Sequence, residues 1–384
     1  MPTGIIVTYL VFLHSDLGIS DTLGIMFTTL KRYPDNPKSN LQAWDSADEL
    51  ILSYLAAFDL SEKRILIVND AFGALSCALN QGERTTYTDS YVSHRALMLN
   101  SKGERGSINN LDQLSGIYDL VLIKLPKNLS FLEDILCHLS QHLQAGSKLV
   151  CGAMLKHLSP AVFPLLQKYI GETTTSLAEK KARLVFAEFQ REPVESPYPL
   201  EVEIEGFAHP FTNHSNLFSR EKLDAGTKFL LAHLPEGSFS RILDLGCGNG
   251  ILGIAAKKRS PEAQIVFSDE SQLALLSAQA NYAKFFSDSP ELVWTNGFED
   301  QPRETLDLVL CNPPFHQETT IGDFIAWQMF VDARRALKIG GMLRVIGNSH
   351  LGYHLKLKRI FGKSKIVASN ERFMIVDAVK IALK

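Results

Sequence analysis

Short apolar runs, each closed by a glycine, a proline or an acid, alternate along this chain with longer stretches in which apolar and polar residues mix. Such runs read as buried strands and the intervening stretches as helices, the alternation expected of an α/β domain with a largely parallel sheet. The pattern is written twice. RILIVNDAFGAL (64–75) lies over RILDLGCGNGIL (241–252), in each case an apolar strand, a small-residue turn and an apolar helix start. In the same order, TYTDS (86–90) matches VFSDE (266–270), YDLVLIKLPKN (118–128) matches LDLVLCNPPFHQ (306–317), and LQAGSKLVCGA (143–153) matches LKIGGMLRVIG (337–347). The tails agree as well, His157-Leu158 leading to KKARLVFAEF and His350-Leu351 to NERFMIVDAV. These ordered correspondences predict two tandem copies of one doubly wound, Rossmann-like α/β fold.

Length points the same way, because 384 residues exceed one ordinary hydrophobic core. The copies are expected over residues 29–190 and 207–384, joined by a proline- and glutamate-rich stretch at 191–206. Residues 1–28 contain the apolar run Ile5–Leu13, about half of what a membrane span needs. With no basic residue before that run and no clear cleavage site, a weakly ordered extension is expected, with Met26 an alternative start.

Composition narrows the function classes. Apolar residues make up 45% and charged residues 21%, ordinary for a soluble globular protein. A net charge of −3 excludes whole-molecule attraction to nucleic acid but leaves room for a local basic face. Cys77, Cys137, Cys151, Cys247 and Cys311 form no Cys-x-x-Cys pair. Neither a disulfide framework nor a metal site is expected, and free thiols fit a reducing cytoplasm.

Candidate chemistry concentrates in the second copy. RILDLGCGNGILG (241–253) reads strand, glycine turn, helix; glycines reach φ > 0 and let backbone N–H groups and a helix N-terminus approach a ligand. Gly248, Gly250 and Gly253 satisfy the dinucleotide fingerprint, with Asp269 where a ribose-binding acid belongs. A nicotinamide enzyme is therefore a rival, and a tight turn with no ligand is the bland alternative. Asp244, at the strand end, could position a cationic amino-acid group. Asn312-Pro313-Pro314-Phe315 ends a later strand, and a crevice outside the carboxyl ends of the strands would bring the two loops together.

The combination of Asp-x-Gly-x-Gly-x-Gly with Asn-Pro-Pro-Phe resembles the class I S-adenosylmethionine-dependent methyltransferases acting on exocyclic or amide nitrogens. An aromatic amine is a poor nucleophile because its lone pair is delocalised into the ring. The Asn312 side-chain oxygen and the Pro313 carbonyl can each accept one amino hydrogen and localise that pair. Prolines stiffen the loop, and Phe315 offers a face for a flat base. No strong base is required, since the methylated nitrogen becomes acidic, and His316 reads as a loop residue. The resemblance further implies that Gly246, Gly248 and Gly250 pack against S-adenosylmethionine, that Asp269 binds its ribose and that Asn296 lies near its adenine. Phe218 and Asp224 would close over the methionine end. Asp224 reads equally as a helix cap, and Asn296 as a turn residue.

Within that class, an intact copy preceded by a degenerate one is similar to the bacterial ribosomal RNA guanine-N2 methyltransferases. LQAWDSADELIL (41–52), NDAFGALSCAL (69–79), NHSNLFSREKLDAG (213–226), VLCNPPFHQ (309–317) and AWQMFVDARRALKIGG (326–341) resemble the large-subunit, 23S rRNA members. The implied reaction moves a methyl group from S-adenosylmethionine to N2 of one guanosine in 23S rRNA, with a 16S rRNA enzyme as the alternative. A release-factor glutamine methyltransferase shares Asn-Pro-Pro but usually ends the motif in Tyr and carries a helical N-terminal domain. An adenine-N6 methyltransferase and a non-catalytic RNA-binding protein are further alternatives; the intact Asp244 and Asn312 argue against the latter.

The first copy departs from the motif where chemistry is expected. Ile67 stands opposite Asp244, Asn69 opposite Gly246 and Ala71 opposite Gly248, while Lys124-Leu125-Pro126-Lys127 replaces Asn312–Phe315. This half is expected neither to bind the cofactor well nor to catalyse. Lys124 and Lys127 would hold RNA phosphates, or else are solvated loop lysines. Lys356, Lys358 and Arg359, with Lys363 and Lys365, would contact an RNA backbone, unless they form a solvated helix face. No metal, membrane or obligate protein partner is expected.

Overall fold

The computed structural model describes residues 29–35, 40–314 and 320–382, so the run Ile5–Leu13, Met26, Phe315 and His316 lie outside the described residues. In the first half, strands Arg64–Val68 (β1), Glu83–Tyr87 (β2), Leu120–Lys124 (β3), Lys148–Met154 (β4), Thr173–Thr175 (β5) and Ala182–Glu188 (β6) form one sheet, ordered β2-β1-β3-β4-β6-β5. Its first four strands run parallel and β6 returns antiparallel beside β4. Helices Ser46–Leu55 (α1), Ala74–Ala78 (α2), Tyr91–Asn100 (α3), Leu129–Ser140 (α4) and Val162–Tyr169 (α5) connect and cover it. β1 is apolar without alternation because both its faces are covered. Leu66 and Val68 pack with Phe131, Leu132 and Ile135 of α4, while Ile65 and Ile67 pack with Ile51 and Leu55 of α1.

A short antiparallel ribbon, Leu200–Val202 (β7) with Phe211–Asn213 (β8), leads into the second half. There, Arg241–Leu245 (β9), Gln264–Asp269 (β10), Glu291–Trp294 (β11), Leu306–Cys311 (β12), Leu337–Asn348 (β13), Lys365–Ser369 (β14) and Phe373–Val379 (β15) are ordered β11-β10-β9-β12-β13-β15-β14. Its helices are Ala225–Ala232 (α6), Ile251–Arg259 (α7), Gln272–Phe285 (α8), Thr320–Ala336 (α9) and Tyr353–Phe361 (α10). Strand for strand this is the first sheet again, with β11 added at one edge. The duplication read from the sequence is present in the topology. At the place of β11 the first half has, among the described residues, only an isolated parallel bridge from Tyr87 to Ile108.

The two halves share packing. Leu217 and Leu273 of the second half are buried within the first half's core. Among the described residues no helix is long and apolar enough to cross a membrane.

Candidate active site

At the carboxyl end of the second sheet, β9 runs into a loop where Gly246, Gly248 and Gly250 take φ of 72°, 53° and 81°. These angles cost glycine little and strain any L side chain. Their surroundings separate their roles. A Cβ on Gly248 would stand in open space, whereas one on Gly250 would meet the Ala278 Cβ at 2.9 Å. Gly246 and Gly248 line a crevice of about 680 Å³; Gly250 instead lets the start of α7 close against α8.

Two acids flank this loop and behave differently. Asp269, at the end of β10, accepts the Gly248 N–H at 2.9 Å and the Ser271 N–H at 3.0 Å, and it lines the crevice. Asp244 is fully buried beneath the loop; its Oδ2 accepts the Gly253 N–H at 2.8 Å and anchors α7. It is not among the residues lining the crevice, and its Oδ1 has no hydrogen-bond partner among the described residues. Burial pushes the Asp244 carboxyl up to about 8, with the Gly253 bond opposing and the charge of Asp269 reinforcing.

That shift has a stability consequence. The native state holds a proton on Asp244 that the unfolded chain releases near the ordinary carboxyl value, so stability is full at low pH. It falls as pH rises toward about 8. Asp244→Asn keeps an acceptor for Gly253 and cannot ionise. It is expected to flatten the decline in Tm between about pH 4 and about pH 8. Glu270, raised to about 7 mainly by its burial, keeps that slope from vanishing. Calorimetric melting across the range checks this; a slope equal to that of the unsubstituted protein would contradict it.

Asn312 follows β12. Its Nδ2 donates to Thr227 Oγ1 at 2.8 Å and to Asp224 Oδ2 at 3.4 Å. Asp224 also caps α6, accepting the Thr227 N–H at 2.9 Å. Two acceptors on one side settle which end of the amide faces them. The Asn312 Oδ1 is left buried and without a partner among the described residues. A buried acceptor in that state costs roughly 1–3 kcal/mol, which a ligand N–H would offset. Pro313, buried, and Pro314, exposed, also line the crevice. Nothing in the motif singles out Thr227; its one signal is a position three residues after a helix-capping acid.

Phe218, 61% exposed, lies at the same crevice with Asp224 and Asn296. Asn296 donates through Nδ2 to Glu299 at 3.3 Å. The first half contributes too, which sequence reasoning missed by assigning the crevice to the second copy alone. Ala71, Phe72, Ser90, Val92 and Ser93 form part of its wall.

The basic residues divide. Lys124 departs from the expected phosphate contact: its Nζ sits 2.6 Å from Asp45 and 2.7 Å from Asp48, with the side chain only 13% exposed. A cation already paired and withdrawn from water must lose those partners before it can neutralise a phosphate. The two acids lie on another element far away in the chain, so no local pattern reveals them. Lys127, Lys358 and Arg359 are exposed. Lys356 is half-buried over the Tyr353 ring. Arg359 stacks on Trp327 at 5.4 Å and, with Arg303, Arg334 and Lys380, lines a second cavity of about 570 Å³.

Residues 22–191 match the RLMG N-terminal domain and residues 208–377 the methyltransferase small domain. The ribosomal RNA large subunit methyltransferase G of Stutzerimonas stutzeri (strain A1501) is 43% identical, over 91% of this chain and 96% of its own. That of Ectopseudomonas mendocina (strain ymp) is 44% identical, over 91% and 97%. The chain belongs to the ribosomal RNA large subunit methyltransferase G family. It is an S-adenosylmethionine-dependent rRNA methyltransferase. The fold is that of tandem class I methyltransferase domains. The T. thermophilus 16S rRNA N2 G1207 methyltransferase, solved with AdoMet and guanosine, shares it at a TM-score of 0.75, 20% identity, and coverage of 92% of this chain and 99% of that one.

The crevice fits the family's cofactor. Its volume falls within the range of about 300–1,000 Å³ usual for small-molecule sites. Gly248 leaves open space where any other residue would intrude, and the Asp269 carboxylate, able to accept hydroxyl hydrogens, lines the same crevice.

Proposed function

We propose that this protein transfers the methyl group of S-adenosylmethionine to the exocyclic N2 of a specific guanosine in 23S rRNA. The observation that carries the proposal is the Asn312 amide, held by Asp224 and Thr227 with its Oδ1 buried and unpartnered at the crevice. S-adenosylmethionine supplies, when bound, an electrophilic methyl group on a sulfonium. Gly246 and Gly248 form its bed, Asp269 takes the ribose hydroxyls, and Asn296 borders the adenine. Phe218 and Asp224 face the methionine end, while Asp244 acts from beneath by holding α7. Gly250 acts through packing.

Asn312 Oδ1 and the Pro313 carbonyl each accept one amino hydrogen of the target base. Withdrawing both hydrogens into fixed acceptors turns the nitrogen lone pair out of conjugation and stabilises charge as it develops. The grip of Thr227 and Asp224 on Nδ2 stops the amide from presenting its donor end to a donor. The proton leaves to water after transfer. Phe315, which lies outside the described residues, is assigned from the motif alone the role of stacking on a base drawn out of its helix or loop.

In this reading residues 29–190 serve as scaffold and RNA-binding domain, 191–206 as linker and 207–384 as the catalytic domain. Lys127, Lys356, Lys358 and Arg359 touch phosphates, and the protein works in the cytoplasm without an obligate protein partner. The deciding experiment supplies labelled S-adenosylmethionine with unmodified 23S rRNA, 16S rRNA or release factor, then digests to nucleosides. Label is expected in N2-methylguanosine from 23S rRNA. Label in 16S rRNA alone, in N6-methyladenosine or in protein would falsify the assignment.

A further inference from the structure

Asp89 holds, in the first copy, the repeat position that Asp269 holds in the second. Asp269 bonds back to its own copy's glycine loop through the Gly248 N–H. Asp89 is 4% exposed, yet its side-chain hydrogen bonds among the described residues run to the other copy. Its Oδ1 accepts the Leu273 N–H at 2.7 Å; its Oδ2 accepts the Ser271 hydroxyl at 2.6 Å and the Asn216 Nδ2 at 2.8 Å. Its backbone carbonyl accepts the Gln272 N–H at 3.0 Å. Beside it the Ser90 hydroxyl donates to the Glu270 carboxylate, and the Tyr91 N–H donates to the Glu270 carbonyl at 2.9 Å.

The segment gripped in this way is the turn from Asp269 into α8. The first N–H groups of any helix lack intrahelical acceptors. Here Ser271 caps the Ala274 N–H from within the second copy, while the first copy satisfies Gln272 and Leu273. Asp269 also takes part, since its Oδ1 accepts the Ser271 N–H. Asn216, the other ligand of Asp89, belongs to the segment carrying Phe218 and itself lines the crevice. One buried carboxylate thus ties together two walls of the crevice, and Val92 and Phe72 extend the wall from the same copy.

We propose that the degenerate copy completes the S-adenosylmethionine site of the working one. Asp89 is a positioning residue that fixes the Asp269–Ser271 turn and the Asn216 segment, and Val92 walls the adenosyl side. This rests on the cofactor placement given under the proposed function. The repeat position that Asp269 occupies in the working copy is used in the degenerate copy to hold its counterpart's turn in place. An interface that only glued the halves together would change stability alone; a positioning role changes cofactor affinity.

The test uses the full chain. Asp89→Asn is isosteric but sets an NH₂ group against either the Leu273 N–H or the Asn216 NH₂, donor facing donor. By calorimetry its Kd for S-adenosylmethionine is expected to rise about tenfold, a loss on the scale of one charge-assisted hydrogen bond. KM for the cofactor should rise in parallel. kcat at saturation and KM for rRNA should stay within about twofold, because nothing touching the base has changed. Val92→Phe changes a half-buried side chain that makes no hydrogen bond, since only the Val92 backbone N–H donates, to Glu270 at 3.4 Å, and it is expected to raise the cofactor KM with Tm unchanged; it decides the matter if the Asp89 variant does not fold. A lowered Tm with unaltered cofactor Kd in Asp89→Asn overturns the proposal, as does a rise in KM for rRNA instead, or a Val92→Phe variant that binds the cofactor normally. N2-methylguanosine formed by the unsubstituted protein upholds the proposed function whatever the Asp89 variant does. Absence of cofactor binding by that protein sinks both.

Discussion

Asn312→Ala is expected to lower kcat by about a hundred- to a thousandfold, the scale on which removing one preorganised polar group from a transition state acts. The Asn312 Oδ1 is buried with no partner among the described residues, and in the proposed mechanism it accepts an incoming amino hydrogen. Truncation removes that acceptor and takes the amide away from Thr227 Oγ1 and Asp224, whose cap on α6 remains, but it leaves the glycine loop and Asp269 untouched. Cofactor affinity should therefore change little. Single-turnover methylation of 23S rRNA and calorimetry with S-adenosylmethionine report the two quantities separately. A variant that transfers methyl normally would remove Asn312 from the chemistry, and one that no longer binds the cofactor would move it to a different role. Thr227→Val is the informative companion. It keeps the Asn312 oxygen but deletes the acceptor 2.8 Å from Nδ2, and an intermediate loss is expected as the amide becomes free to turn.

Gly248→Val is expected to raise the Kd for S-adenosylmethionine by more than about a hundredfold, because its side chain fills the ligand's place in a site that cannot rearrange cheaply. Open space faces the Gly248 Cβ position, so the new side chain enters the crevice rather than the core. The positive φ of 53° adds a strain of roughly 1–2 kcal/mol to the folded state. Gly250→Ala should behave in the opposite way. Its Cβ would meet Ala278 at 2.9 Å and Phe267 at 3.1 Å, so Tm falls, with cofactor affinity affected only through the displaced loop. Calorimetric titration and thermal melting on both variants separate the outcomes. A Gly248→Val protein that binds the cofactor like the unsubstituted one would place the ligand elsewhere.

The two glycines also show where sequence reasoning reaches its limit. Both belong to one motif and both take positive φ, yet one faces ligand space and the other a helix. The motif says that the backbone must bend; the neighbours that make each bend necessary come from other elements. Asp244 repeats the lesson. Its position before the glycines marks it as part of the site, while its complete burial and its bond to Gly253 place it under the loop.

What the sequence by itself determined is the repeated architecture. Apolar strands such as Ile65–Val68 and Ile242–Leu245, each followed by a tight turn and a helix, are local patterns. Their order dictated two sheets of matching topology, because a parallel strand apolar on both faces is stable only when helices cover both. The Asn-Pro-Pro motif and the acid of β10 were legible for the same reason, as their chemistry lies in residue type and nearby spacing. Tertiary structure alone decided which charges and acceptors remain available. Lys124 is spent on Asp45 and Asp48, Asn312 is oriented by Thr227, and Asp89 reaches Leu273 across the boundary between copies. Each of these pairs lies far apart in the chain. A hydrogen bond or ion pair depends on a few ångströms of separation, and only the folded packing of distant segments sets that distance.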